Sequence, residues 1–228
     1  MVYLFLQQIY FRLKGSIKYL PWVGKLLVLL GIYLIVEYIF ALMAVEIINA
    51  IFPGMDFLHF ITGFEKIKSV QEVTLDQEHA IKIYQFATSL GRFIFVAWFF
   101  VYLCGDNFLA SVSLNKNIQS VSYGTVILIV MASGAIISLI HDWNQHLHLP
   151  SSMAEMESQM RSLEQQAKIQ TEVFLRTTTI GGFLLNILII GLLAAVGEEI
   201  FFRGVLQNIF FRGIGNAHIA IWSSAFLF

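Results

Sequence analysis

The chain has 228 residues, of which 57% are hydrophobic and 13% charged, about half the roughly 25% charged share of an ordinary soluble domain. Its 14 Lys and Arg nearly cancel its 15 Asp and Glu, so no nucleic-acid partner is expected. A mean hydropathy of +0.74, with charge gathered between long apolar runs, predicts an all-α polytopic membrane protein. The expected architecture is a single transmembrane domain over 1–228: a bundle of at least four transmembrane helices, an incomplete fifth, and amphipathic interfacial helices. The lone cysteine, Cys104, excludes an internal disulfide framework.

The first 25 residues combine an apolar start with Arg12, Lys14, Lys18 and Lys25, and predict a short interfacial helix ending near Pro21 and Trp22. Apolar residues ahead of the basic ones reverse the order of a cleavable signal peptide. Four cations just before the first span predict a cytoplasmic N-terminus, in what reads as a bacterial inner membrane protein. That span is expected over about 26–48, with Glu37 near its middle.

Residues 52–82 mix charges of both signs and predict a structured loop with a surface helix. A second span, at about 83–103, carries Arg92. On antiparallel neighbours Glu37 and Arg92 reach similar depth, where an uncompensated charge is costly, so an ion pair between them is one expectation. The alternatives are separate polar neighbours, or an arginine that snorkels to the interface.

A short link leads to a third span at about 121–140, whose Ala132, Ser133, Gly134 and Ala135 permit close helix packing. His141, Asp142, His146 and His148 follow within eight residues. Their spacing matches no common zinc pattern and reads as an ordinary polar helix end. From Ser151 onward Met153, Met156, Met160, Leu163 and Ala167 recur at helical steps, an amphipathic helix over 151–176. Ser152 and Glu155 fit a capping box. The stripe reads first as a packing face, second as a lid or substrate contact.

The fourth span, Thr178 to Val196, ends in Gly197-Glu198-Glu199-Ile200-Phe201-Phe202-Arg203-Gly204. Glu199 and Arg203 stand four apart with the acid first, the favoured order for a helical ion pair. Glu198 lies about a quarter-turn away and keeps no such partner. Gly191, Ala195 and Glu199 share one stripe, where close helix approach would bury the carboxylates. Arg212 to Asn216 reads as a turn, and a fifth apolar segment from His218 reaches only Phe228. That length falls short of the ~20 residues of a span, so the chain is expected to be a C-terminal truncation.

An unpaired carboxylate in a low-dielectric cavity has a raised proton affinity and suits general-base chemistry on water. Glu198 to Gly204 resembles the first signature, E-E-x-x-x-R, of the CAAX prenyl protease and bacteriocin-processing intramembrane endopeptidases (the CPBP or Abi family). The resemblance covers roughly 178–228 and implies an intramembrane endopeptidase with catalytic residues Glu198, Glu199 and Arg203. By its pattern Glu198 activates water, while Glu199 and Arg203 hold each other. Its next signature, F-x-x-x-H, places an opening phenylalanine at Phe228 and its histidines beyond it, so these residues alone are expected to be inactive. The resemblance allows a divalent metal such as zinc or a metal-independent mechanism, with membrane lipids and a peptide or protein tail as partners. Two other classes compete. An ion- or proton-coupled transporter would use Glu37, Arg92 and the 198–203 cluster, and a scaffold or immunity protein would use Glu199 and Arg203 only as a lock.

Overall fold

The three prolines, Pro21, Pro53 and Pro150, all fall between helices, which leaves the long apolar runs free to complete their backbone hydrogen bonds internally. The computed structural model describes residues 13–67, 69–112, 120–177 and 179–228, and among these there are helices and turns but no strand. In chain order the helices are α1 (Trp22–Ile51), α2 (Phe57–Thr62), α3 (Leu75–Cys104), α4 (Phe108–Ser111), α5 (Ser120–Gln145), α6 (Ala154–Leu175), α7 (Ile180–Ile214) and α8 (Ala217–Phe226). Four of them, α1, α3, α5 and α7, are long and apolar enough to cross a bilayer. The protein is thus a polytopic helical membrane protein, with spans that run further than the hydropathy pattern alone outlines. Helix α3 starts at Leu75, where Thr74 and Gln77 form a reciprocal capping box of 3.3 and 2.9 Å.

The chain forms two compact units, one running to Leu114 and resuming at Gln170 through Phe228, the other spanning Asn115–Ile169. In the larger unit α1 runs antiparallel to α7. Trp22 meets Phe210 at 6.2 Å between ring centres and Tyr33 meets Phe201 at 5.8 Å. Helix α3 fills the space beside them, contributing Val96, Ala97 and Phe100 to a core completed by Phe201, Val205 and Ile209. Glu37 and Arg92 form an ion pair, one of the alternatives the sequence leaves open. Arg92 Nε donates to Glu37 Oε2 at 2.8 Å, and a second guanidinium nitrogen reaches Oε1. The bidentate geometry is the strong form of this contact, and it ties α1 to α3 near the middle of both helices.

A second network escaped the sequence reading. Glu78 lies between Lys82 at 2.7 Å and Arg176 at 2.8 Å, and Arg176 also donates to the carbonyls of Val70 and Val73. It anchors the residues that lead into α7. Arg176 lies 94 to 106 positions from its partners, which no local pattern reveals.

In the smaller unit the polar stretch after α5 folds back on α6. Glu157 accepts from Arg161, the Leu149 amide and His148, and these donors hold its carboxyl down at about 2. His146 bonds the Asp142 carbonyl, and no group of three metal-ligating side chains forms among the described residues.

Several expectations are corrected. Residues 14–20 run as turns rather than an interfacial helix, while 1–12, with Arg12, lie outside the described residues. The capping box at Ser152 gives way to a 3-10 turn over Ser151–Met153 in which no side chain caps. On α6 the methionine stripe stays exposed, and Ile169 and Val173 are buried instead. The turn expected at Arg212 is still helix: α7 continues to Ile214 and ends at Gly215, whose φ of +74° suits glycine.

Candidate functional site

Helix α7 carries the acidic motif through the middle of a single 35-residue helix, about 52 Å long at 1.5 Å per residue. The two carboxylates and the arginine therefore do not end the span. They ride on continuous backbone, with Glu199 and Arg203 neutralising each other along one face. That backbone widens into a π-helical stretch over Glu199–Leu206, a distortion that recurs at functional sites.

Glu199 and Arg203 meet at 2.8 Å, as their spacing predicts. The pair is exposed, with the two side chains 54% and 73% accessible, so the expected burial between helices is overturned. The stripe of Gly191, Ala195 and Glu199 is exposed, and among the described residues a Cβ added to Gly191 would meet no atom within 4 Å. The packed face is set by other glycines. A Cβ on Gly197 would stand 2.9 Å from Phe93 Cβ, one on Gly204 would stand 2.7 Å from Val112, and one on Gly213 would overlap the Trp22 ring. Each admits a bulky side chain from α3, the end of α4 or α1. Gly197 precedes Glu198 directly, so Phe93 sets how the acid is presented. Gly197→Val is expected to cost about 1–3 kcal/mol by overpacking, read as a lower melting temperature of the full-length protein in micelles. Gly191→Ala, with open space around it, should be neutral or slightly stabilising.

Glu198 is half-buried and makes no hydrogen bond or ion pair among the described residues. It lines a cleft of about 210 Å³ between Phe202 and Gln207 of α7 and Ile221, Ser224 and Phe228 on the α8 side. Glu199 and Arg203 border the same cleft. On its other flank the pair borders a larger cleft of about 570 Å³, with Ser111 and Val112 opposite and Asn208 further along α7. Two polar residues that the sequence reading missed hold these walls. Ser224 donates to the Phe202 carbonyl at 3.1 Å, and Phe228 meets the Phe202 ring edge-on at 5.0 Å. Asn208 donates to the carbonyls of Ser111 at 3.0 Å and Gly204 at 2.7 Å. Asn208 stands one helical step after Gly204, the signal that could have marked it.

His218, the nearest histidine in sequence, sits exposed in the first turn of α8 and does not line the cleft. A catalytic zinc takes three protein ligands. The described residues of the cleft offer only two carboxylates, one already bound to Arg203, and do not fit that ion.

Residues 180–228, the stretch holding α7 and α8, match the family model of the type II CAAX prenyl endopeptidases, Rce1-like. The match agrees with the family that the Glu198-to-Gly204 motif resembles. No individual curated protein and no solved structure matches the chain.

Proposed function

With residues 180–228 carrying the Rce1-like signature of type II CAAX prenyl endopeptidases, we propose that the protein is an intramembrane endopeptidase in which Glu198 activates water. The observation that carries this reading is the division of labour between adjacent acids. Glu199 is held by Arg203, while Glu198 faces a cleft with its carboxylate uncommitted. Glu198 takes a proton from water as the oxygen adds to the peptide carbonyl carbon, and the carbonyl electrons move onto its oxygen. Collapse of the tetrahedral adduct breaks the C–N bond, and the same carboxyl returns its proton to the leaving amine. Arg203 borders the cleft, and the N–H groups that Glu199 leaves free supply donors for the developing oxyanion.

The substrate we propose is a prenylated C-terminal peptide tail, its lipid held by the surrounding membrane. Lys14, Lys18 and Lys25 favour a cytoplasmic N-terminus. The test is release of the tail from a farnesylated peptide ending in a C-a-a-X sequence, by the full-length gene product in liposomes. Cleavage on the carboxyl side of the modified cysteine is expected. An intact peptide, with an unprenylated membrane peptide also uncut, would overturn the reading.

A further inference from the structure

One end of the larger unit gathers more positive charge than the proposed chemistry uses. The N-terminus of α1, the C-terminus of α3 and the C-terminus of α7 converge on a cleft of about 230 Å³. Lys25 and Arg212 line it with Asp106, and Arg212 meets Asp106 at 2.8 Å. Lys25 has no ion-pair partner among the described residues. The preceding segment brings more cations to this end. Gly15 and Ile17 donate to the carbonyls of Tyr102 and Leu103, which seats Lys14 and Lys18 beside the end of α3. Lys25 and Arg212 thus line the cleft against one acid, Asp106, with Lys14 and Lys18 on the segment beside it. The first turn of α1, uncapped by any side chain, brings partial positive charge, while the ends of α3 and α7 bring partial negative charge, so attraction for an anion rests on the side-chain cations.

Most of the remaining wall is apolar, from Leu20, Trp22, Phe100, Val101 and Ile209, with Ser111 and Asn208 as its polar groups. A polar cationic mouth on an apolar cleft, at the level where three spanning helices end, suits an anion that carries hydrocarbon. We propose that this cleft binds the phosphate headgroup of an anionic phospholipid, with Lys25 and Arg212 on the phosphate and the acyl chains along the apolar wall. Asp106 holds Arg212 in place and opposes a second negative charge. On α7 the cleft begins at Gly204, six residues beyond Glu198, and Glu198 does not line it, so the site does not depend on the proteolytic reading. Gly204 and Asn208 line both this cleft and the one beside Glu199, which makes the α7 wall common to the two.

The full-length protein in detergent, given phosphatidylglycerol or phosphatidylcholine, reports lipid retention by native mass spectrometry. Phosphatidylglycerol should be retained in preference. Lys25→Gln and Arg212→Gln should each weaken it about fivefold, the loss expected for one cation at a membrane surface. Asp106→Asn should strengthen it, and phosphatidylcholine, whose choline cancels the charge of its phosphate, should respond less in every variant. Because Lys25 is only half-buried, its replacement leaves the fold intact, and an unchanged melting temperature checks this. Equal retention of the two lipids, indifference to Lys25→Gln, or full displacement of phosphatidylglycerol by inorganic phosphate would each overturn the proposal, the last by showing a free-anion site.

Discussion

Glu198→Gln is expected to abolish cleavage of a prenylated tail while leaving the melting temperature unchanged. General acid–base catalysis by one positioned group contributes about 10²–10⁴-fold, and a carboxamide holds the same shape without taking a proton. The fold should not notice, because Glu198 makes no hydrogen bond or ion pair among the described residues. Glu199→Gln behaves differently, since it releases Arg203 from its 2.8 Å contact and leaves that cation bordering both clefts. The pair is largely exposed, so the loss of stability should be small, on the order of 1 kcal/mol or less. Activity should fall through misplacement of Arg203, and raising the ionic strength should not restore it. If Glu198→Gln cleaves like the parent protein, Glu198 is not the group that activates water and the assigned mechanism fails.

The second large effect is expected far from the cleft in sequence and close to it in space. Glu37→Gln removes the acid from a bidentate contact near the middle of α1 and α3, leaving Arg92 charged where the membrane gives it no counter-ion. Breaking a fully buried pair costs about 3–5 kcal/mol, and the partial exposure of this one, 27% and 32% of the side chains, lowers the expectation to about 2–3 kcal/mol. The double variant Glu37→Gln with Arg92→Gln should recover most of that, because two neutral amides leave no orphaned charge. Unfolding in mixed micelles reads both. Activity should follow stability here, as Phe93 next to Arg92 is the side chain that seats Gly197 and stacks near Phe201 and Phe202. A stable, active Glu37→Gln would show that the pair contributes nothing to the bundle.

What was legible beforehand follows from range. Spanning helices announce themselves through unbroken apolar runs, whereas the cost of lone charges at depth left the Glu37–Arg92 pair as one alternative among several. The Glu199–Arg203 contact follows from spacing within one helix. Which glycines make the packed face was not legible. Gly191 and Gly197 are both small residues on the same helix, and only the identity of the neighbour, Phe93 against open space, separates them. Nor did the motif reveal that α7 runs on to Ile214. Charges and Gly213 read as a boundary, whereas Gly213 is there to admit the Trp22 ring. The network of Glu78, Lys82 and Arg176 needed three distant segments at once.

Water must reach Glu198 for any of this chemistry to occur, and thiol modification in native membranes measures that access. Glu198→Cys should react readily with a charged, water-soluble thiol reagent, while Ile200→Cys on the packed face and the buried native Cys104 stay slow. A thiol at 198 that reacts no faster than one at 200 would contradict the account.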